Sequence, residues 1–581
     1  MKVLYIDLSK TTSTIRFRED LKSYLGGTGL ATALFLEEVD LSKPPLSEEQ
    51  PIVIAKGFLT PYFPVATKSV AIFYSPLTNS LGESHAGGRL ALAMSLSGID
   101  AIVIKGKSVK PNYLVINDGN VVFKDATHLK GIYATATATY IREKEKDAGL
   151  RSILRIGPAG ENGAAFSMVV VDTYRHFGRL GLGASFGSKN LKAVLVSGTG
   201  KDYKQFSKES GYRNLFEELH AKATSQLMRK YHEFGTAVNV LPLNELGGLP
   251  TENLKKTSFE YAENISGESF AENVLTRKFA CAGCPVGCIH IATIRRKFAA
   301  EEEWERVDVS YDYELIYSLG SLLGIKDCNG VLSLIEKVEE LGIDAIYAGV
   351  MLAWLTEAYE KSIIGEEELD GLKPIFGNVE VYKALLEKLT YSEKSFFQTA
   401  RLGLTALCER YGGHDFALLV NKNAMAGYHT GYANLLGQHL VGIRNAHTDN
   451  AGYSLDQENK EYSPEELIER LYEEEVFRAF FNCTGLCLFV RKIYDVDTLL
   501  KASKMLGVDI QGDKILEIGE NIYLKKLIFK IKCGFKIEEY VIPERFFETA
   551  AGRKMMSKDF VNKAKNYFAK KIKEKIGEGE I

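Results

Sequence analysis

The chain has 581 residues, too many for one ordinary hydrophobic core, and its 45% apolar and 25% charged content are those of a soluble globular protein. A net charge of −3, with no extended basic stripe interleaved with aromatics, excludes a general nucleic-acid binder. The longest apolar run, AIYAGVMLAWL (345–355), is too short to span a bilayer.

The opening MKVLYIDLSKTTSTI reads as a strand and turn and lacks the apolar core and small-residue cleavage site of a signal peptide. It predicts a cytoplasmic protein, where clustered cysteines bind metal more often than they pair. Scarce glutamine with plentiful Lys, Glu and Ile leans toward a thermophile source. Through about residue 200 the texture is β-rich. PIVIAKG, KSVAIFYS, DAIVIKG, NYLVIND and KAVLVSG are strand candidates bounded by Gly, Pro, Asn or Asp. Between them lie four glycine-rich loops: YLGGTGL (24–30), HAGGR (85–89), IGPAGENG (156–163) and GRLGLGASFGSKN (178–190). The last does not make a dinucleotide fold, because a strand (SKNLKAVLV) follows it where a helix is required. Tight turns explain any one loop; close backbone approach to a flat or phosphate-bearing ligand is the functional alternative.

After about residue 203 the pattern turns helical, from NLFEELHAKATSQLMRKYHEF to the amphipathic FVNKAKNYFAKKIKEKI (560–576). The fold class predicted is α+β, with a β-rich N-terminal domain (1–203) followed by two mainly α-helical domains (204–405 and 406–581).

Residues 281–288 read CAGCPVGC, three cysteines spaced C-x2-C-x3-C among glycines and a proline suited to a loop wrapped around a bulky object. No second C-x-x-C or H-x3-5-H half accompanies them, as a structural zinc site would need. Three clustered thiolates with one remote cysteine suit an iron–sulfur cluster. Cys281, Cys284 and Cys288 are thus assigned, and the fourth ligand must come from Cys328, Cys408, Cys483, Cys487 or Cys533.

Ordered along the chain, YLGGTGLA, SPLTNSLGESHAGG, IGPAGENGAAF, GLGASFGSKNLKAV, FGTA…NELGGLPTENL, CAGCPVGC, YELIYSLGSLLGI, ELGID, AGYH and NCTGLC carry a family signature. On these stretches the chain resembles the tungsten-containing aldehyde ferredoxin oxidoreductases over nearly its whole length. The resemblance implies a [4Fe–4S] cluster whose fourth ligand ends the motif D-x-x-G-L-C, matched by Asn482 to Cys487. Cys487 is then the fourth ligand and Cys483 a small packed residue. The β-rich domain becomes the base for a bis-molybdopterin cofactor carrying tungsten, or molybdenum, held by four dithiolene sulfurs and no protein side chain.

Pterin contacts are implied at Glu339, Gly342, Ile343 and Asp344 in one motif and at Asn482, Gly485 and Leu486 in the other. Two departures stand out: Asn482 and Glu339 each replace an Asp of the family pattern, changing charge in one case and reach in the other. An Mg2+ bridging the pterin phosphates maps to residues 84–88 and 179–184, that is His85, Ala86 and Gly87 with Arg179, Gly181, Gly183 and Ala184. His85 stands where Asn is expected, with a packed histidine as the structural alternative. Lys68 stands where an Arg links pterin and cluster, and a lysine lacks the bidentate fork.

The active-site pair implied is Glu314, a general base, and His447, a hydrogen-bond donor to the aldehyde oxygen. Asp312 and Asp449 are fallback acids, Tyr313 and Tyr428 alternative donors to the carbonyl, and His429 a weaker second histidine. The implied reaction oxidises an aldehyde with water to the carboxylic acid, electrons passing to ferredoxin or a ferredoxin-like iron–sulfur subunit. The alternatives are a reductase on the same scaffold acting on a carboxylate or activated ring, and a cluster-only electron-transfer subunit. The family archetype is a homodimer bridged by metal at an E-x-x-H site. Here the one literal match, Glu217-Glu218-Leu219-His220, reads as a solvated helix face, so the expectation is a homodimer without bridging iron or a complex with an iron–sulfur subunit.

Overall fold

A computed structural model describes residues 1–145, 150–201, 211–297, 303–458, 460–490 and 492–577. The domain boundary expected at 203/204 lies outside them. The chain forms two compact units, each assembled from separated segments. The first comprises Met1–His232, Ala280–Gly287 and Val476–Phe529, and the second Glu233–Phe279, Cys288–Glu475 and Lys530–Ile581.

The first unit is built on two six-stranded sheets. One contains β1 (Lys2–Asp7), β2 (Thr12–Phe17), β3 (Ile52–Lys56), β4 (Ser69–Ser75), β5 (Ser80–Ala86) and β6 (Ala101–Lys105), in the order β2-β1-β6-β3-β4-β5. The other contains β7 (Asn112–Asn117), β8 (Asn120–Asp125), β9 (Arg151–Arg155), β10 (Val169–Val171), β11 (Arg175–Phe177) and β12 (Leu191–Ser197), in the order β11-β10-β9-β12-β7-β8. Among the described residues of these two sheets, β1 with β6 and β7 with β12 pair in parallel and the other neighbours antiparallel.

The period of two along a strand sorts residues between faces. Ile52, Ile54, Phe73, Ile102 and Ile104 of the first sheet share one core with Leu114, Ile116, Leu154, Val194 and Val196 of the second. Tyr113, Val115, Ile153 and Leu195 point the other way and pack on Leu129 and Ile141. Strands buried on both faces read as continuous apolar runs, which is why PIVIA and SVAIFY were legible. Helix Gly27–Glu38 covers β3 and β4.

The second unit is mainly helical, and AIYAGVMLAWL lies within the buried helix Ala345–Glu360. Among the described residues no helix is long and apolar enough to cross a membrane. One departure from the sequence reading is a three-stranded antiparallel sheet, β13 (Leu275–Phe279), β14 (Ile289–Lys297) and β15 (Trp304–Tyr311), in a region expected to be helical. β13 is mostly exposed and β14, buried over its first half, ends in the charged Arg295, Arg296 and Lys297, so the apolar alternation that marks a strand is diluted.

Several loop glycines serve packing within the first unit. A Cβ on Gly57 would lie 2.1 Å from the Gly485 nitrogen, and one on Gly181 would lie 2.1 Å from the Ala165 oxygen. At Gly57 the neighbour is backbone and has no room to yield. Gly57→Ala is therefore expected to destabilise the protein by about 1–3 kcal/mol, the usual cost of overpacking. Chemical denaturation measures this, and a wild-type midpoint would contradict the close approach.

Candidate active site and cysteine loops

Helix Tyr313–Leu319 begins at Asp312, whose Oδ1 accepts the Leu315 N–H at 3.2 Å. Asp312 is a helix cap. The cap puts Glu314 in the first helical turn, where the exposed N–H groups favour a carboxylate. Glu314 Oε1 accepts a hydrogen bond from the Tyr428 hydroxyl at 2.7 Å and lies 3.1 Å from His447 Nε2. Both side chains of the ion pair are 14% exposed. Burial alone would raise the Glu314 carboxyl, but the hydrogen bond and charge of His447, with the Tyr428 hydroxyl, outweigh it and hold it below the ordinary carboxylate range. Burial and the Glu314 charge push Tyr428 far up, so it stays a phenol and a donor.

Tyr428 is fixed from three sides. Its ring stacks on His447 (5.0 Å between centroids) and on Tyr453 (4.5 Å), and Asn434 donates to its carbonyl. Tyr313 donates to the Gly427 carbonyl, one residue earlier in the chain, so that hydroxyl is committed to positioning the loop. His447 rides on a loop wrapped around one buried carboxylate. Asp449 Oδ2 accepts the Arg444 and Ala446 N–H groups at 3.0 and 3.2 Å, while Oδ1 meets Arg444 Nε at 2.6 Å. Asp449 is thus the loop's organiser and stands in an ion pair of its own. His447 Nδ1 is buried without a hydrogen-bond partner and is the ring atom left for a further group. The ring donates there only when doubly protonated; when neutral, with Nε2–H on Glu314, it accepts there. His429 points elsewhere: its Nε2 lies 3.4 Å from the Thr549 carbonyl, and burial pushes it down to about 4.

In the first unit the cysteine loops are stapled by backbone. Val65 donates its N–H to the Gly283 carbonyl (2.9 Å) and accepts the Cys487 N–H (3.3 Å), at the strained φ of +66°. Lys68 N–H reaches the Gly485 carbonyl at 2.8 Å, and Ala282 N–H the Gly88 carbonyl at 3.0 Å. Gly87 approaches so closely that a Cβ there would lie 2.7 Å from Cys281 Sγ. Burial would raise the Cys281 thiol, but the Arg175 and Lys68 charges and the Gly88 backbone pull it below its ordinary value. The Val286 N–H donates to Cys284 Sγ at 3.5 Å. Cys288 falls on the other side of the unit boundary, one residue before β14.

The remaining cysteines differ in character. Cys483 and Cys408 are buried and pushed up to about 12, and burial raises Cys328 too. The eight cysteines form no disulfide. Among the described residues no three His, Cys, Asp or Glu side chains converge on a single metal ion. The donor chemistry at Cys281 and Cys284, a thiol held toward thiolate and a sulfur accepting a backbone N–H, fits a cluster ligand.

Both expected pterin motifs adopt the same local form, a helix ending at a left-handed glycine. Gly342 (φ +75°) closes helix Cys328–Leu341, and Asp344 caps the next helix by accepting the Ile346 N–H at 3.0 Å. Gly485 (φ +80°) follows helix Pro464–Thr484. Ile343 and Leu486 are buried, while Glu339 and Asn482 are half-exposed. His85 Nε2 lies 2.7 Å from Glu83 Oε1, within a buried network in which Glu83 also meets Thr28 (2.9 Å) and Lys526 (2.6 Å). Ala86 ends β5, Arg179 and Gly181 lie in the turn into helix Leu182–Ser188, and Gly183 and Ala184 are in that helix's first turn. Glu217 and Glu218 pair on their own helix with Arg213 (2.8 Å) and Lys222 (2.7 Å).

Sequence reasoning missed Arg175, the cation beside Cys281, because an arginine in a three-residue strand carries no pattern. It also missed Tyr453 and the tie between Asp449 and Arg444.

Comparison with known proteins matches residues 3–198 to the aldehyde ferredoxin oxidoreductase N-terminal domain and residues 214–573 to domains 2 and 3 of the same family. The tungsten-containing aldehyde ferredoxin oxidoreductase of Pyrococcus furiosus is 32% identical over 94% of this chain and 91% of its own length. The WOR-like subunit of an aliphatic sulfonate oxidoreductase from the same organism is 27% identical over 98% of this chain and 93% of its own. In fold, the chain is similar to the active-site complex of benzoyl coenzyme A reductase bound to 1,5-dienoyl-CoA, with a TM-score of 0.77, 18% identity, and coverage of 98% of this chain and 94% of that one. The chain belongs to the aldehyde ferredoxin oxidoreductase family.

Proposed function

We propose that the protein oxidises an aldehyde with water to a carboxylic acid, using a tungsten bis-molybdopterin cofactor and passing electrons through a [4Fe–4S] cluster to ferredoxin or an iron–sulfur partner. The observation that carries the reading is the buried Glu314 carboxylate, held ionised between His447 and Tyr428. A buried carboxylate is costly unless a function or a network retains it, and these partners keep it charged without occupying both of its oxygens.

Cys281, Cys284, Cys288 and Cys487 would hold the cluster. Glu339, Gly342, Ile343 and Asp344, with Asn482, Gly485 and Leu486, would line the pterins. Lys68, Ala86, Gly87, Arg179, Gly181, Gly183 and Ala184 would serve the phosphates and their Mg2+. His85 is the weakest member of that set, since its Nε2 is committed to Glu83. When bound, the tungsten centre supplies the two-electron acceptor.

The chain's own side chains supply proton handling. Glu314 takes a proton from water as the water adds to the carbonyl carbon. His447 in its doubly protonated form donates from Nδ1 to the carbonyl oxygen, stabilising the charge that develops there. Tyr428 holds Glu314 in place and keeps a hydroxyl proton in reach of it. The likeness to a sulfonate oxidoreductase subunit favours one second reading, another small oxygen-rich substrate in the same site, which a substrate panel separates.

Glu314→Gln keeps shape and removes the proton acceptor, so turnover should fall by about 10²–10⁴-fold while the cofactor loads normally. Pre-steady-state reduction of the metal by aldehyde reads this step, and a wild-type rate would make Glu314 structural. The same carboxylate makes a pH prediction. Its folded value lies below the ordinary 4.5, so its stabilising contribution is present above that value and is lost as pH falls through the folded one. The melting-temperature advantage of the protein over Glu314→Gln should shrink as pH is lowered below about 5. An advantage that grows on acidification through that range would contradict the assignment. Replacing Cys281, Cys284, Cys288 or Cys487 with Ala should each lose or convert the cluster, whereas Cys328→Ala and Cys533→Ala should not. Iron content and EPR decide it, and an intact cluster in Cys487→Ala would refute that ligand.

A further inference from the structure

Electrons collected at the cysteine loops must leave the protein, so the surface beside those loops has a task of its own. At Cys281 the loop is packed: Gly87 lies against the sulfur, and the Lys68 and Arg175 charges stand near it. Two residues on, it opens. Gly283 is exposed, and a Cβ built there would meet nothing within 4 Å. Cys284 and Cys487 are half-exposed.

Two short helical turns of the first unit adjoin these cysteines. The turn Leu488–Val490 starts from Cys487, whose carbonyl accepts the Val490 N–H at 3.0 Å. The turn that opens at Arg229 is tied to the cysteine loop by His232, whose Nδ1 lies 2.9 Å from the Val286 carbonyl. The two turns meet ring on ring: Tyr231 stacks on Phe489 with centroids 4.4 Å apart and planes 6° from parallel. Lys230 Nζ stands 4.9 Å from the centre of the Tyr231 ring. Both rings are half-exposed, Arg229, Lys230 and His232 are exposed, and Leu227 just before them is 52% exposed. Aromatic rings that reach solvent among cations are the composition of a recognition surface.

The charge on this face is one-sided. Val65 joins the Gly283 turn to Cys487, so the stretches gathered here are 58–66, 226–232, 280–287 and 484–494. They contain Arg229, Lys230 and Lys492 but no Asp or Glu, in a chain where acids outnumber Lys and Arg by 75 to 72. The adjoining carboxylates are Glu233 and Asp495, and Asp495 is engaged as a helix cap, accepting the Thr498 N–H at 2.9 Å.

We infer that the stacked Tyr231–Phe489 pair, with the cations Arg229, Lys230 and Lys492 of the same stretches, docks a soluble one-electron iron–sulfur protein through a carboxylate-rich surface. Electron transfer falls off steeply with distance, and a partner seated on Phe489 is two residues from Cys487. Each encounter moves one electron from the reduced cluster to the oxidised partner, no bond forms or breaks, and two partners are reduced per aldehyde oxidised. Charges at the edge of such a contact act mainly on the rate of encounter and its salt dependence.

This face rests on the proposed cluster and reaction, and the test separates them. Calorimetric titration of the cofactor-loaded protein with an acidic ferredoxin, at low and high salt, needs no turnover. Binding should weaken as salt rises, and a basic cytochrome c of similar size should not bind. The double variant Lys230→Glu with Lys492→Glu, which changes exposed side chains alone, should weaken ferredoxin binding at low salt by about tenfold or more. Phe489→Ala should weaken it at high salt as well. The double variant should keep its iron content and its aldehyde-dependent reduction of benzyl viologen, a small dye that needs no docking face. Wild-type affinity and salt dependence in the double variant would overturn the proposal. Should ferredoxin binding fall as expected while no aldehyde reduces the dye even in the wild type, the proposed reaction fails and the docking face stands.

Discussion

A carboxylate kept charged inside a protein dictates much of what surrounds it. Removing an ion of that size from water costs several kcal/mol even after relaxation, so Glu314 needs donors delivered with little freedom. The second unit supplies them from three stretches of chain. Asp312 starts the helix that aims Glu314. Tyr313 pins Gly427, which sets Tyr428, and ring stacking on Tyr453 and His447 holds the phenol. Asp449 gathers Arg444 and Ala446 so that the loop presents His447. Each of these groups is spent on positioning. That is why neighbours resembling alternative acids or donors turn out to be supports for one carboxylate.

The first unit meets the same problem with sulfur, drawing Cys281 toward its anionic form. Arg175 and Lys68 offset the burial of Cys281, whereas Cys483 is fully buried and pushed up to about 12, so it stays a thiol. Val65 ties the Gly283 turn to Cys487 through its own peptide groups, at a backbone angle that a β-branched residue avoids. Charge and staple act on the same few residues. The strain is held by the surrounding hydrogen bonds rather than relieved.

Much of this was legible in the sequence, and for definite reasons. The strands of the first unit were visible because both faces are buried and the apolar runs are unbroken. Glu314 and His447 were paired by resemblance, and they stand 3.1 Å apart. What stayed hidden depends on contacts between distant positions. Tyr428 meets Glu314 across 114 residues of sequence, so its hydroxyl read as free for a carbonyl when it is committed to the carboxylate. In the sheet around the cysteine motif the apolar alternation is diluted by charged residues, and Arg175 has no pattern to betray it. The glycine-rich loops suggested ligand approach, yet Gly57 and Gly181 are needed where one backbone touches another. Texture along a chain also gives no sign that compact units are assembled from separated segments.

The proposed function turns on whether this chain oxidises an aldehyde with water as the source of the added oxygen. Purified, metal-loaded protein given a panel of aldehydes and a viologen acceptor in 18O-labelled water answers that directly. Tungsten in the protein, two viologens reduced per aldehyde consumed, and at least one labelled oxygen in the carboxylate formed are the results expected. Metal-loaded protein that reduces no viologen with any aldehyde, or a carboxylate free of solvent oxygen, would contradict the proposed function.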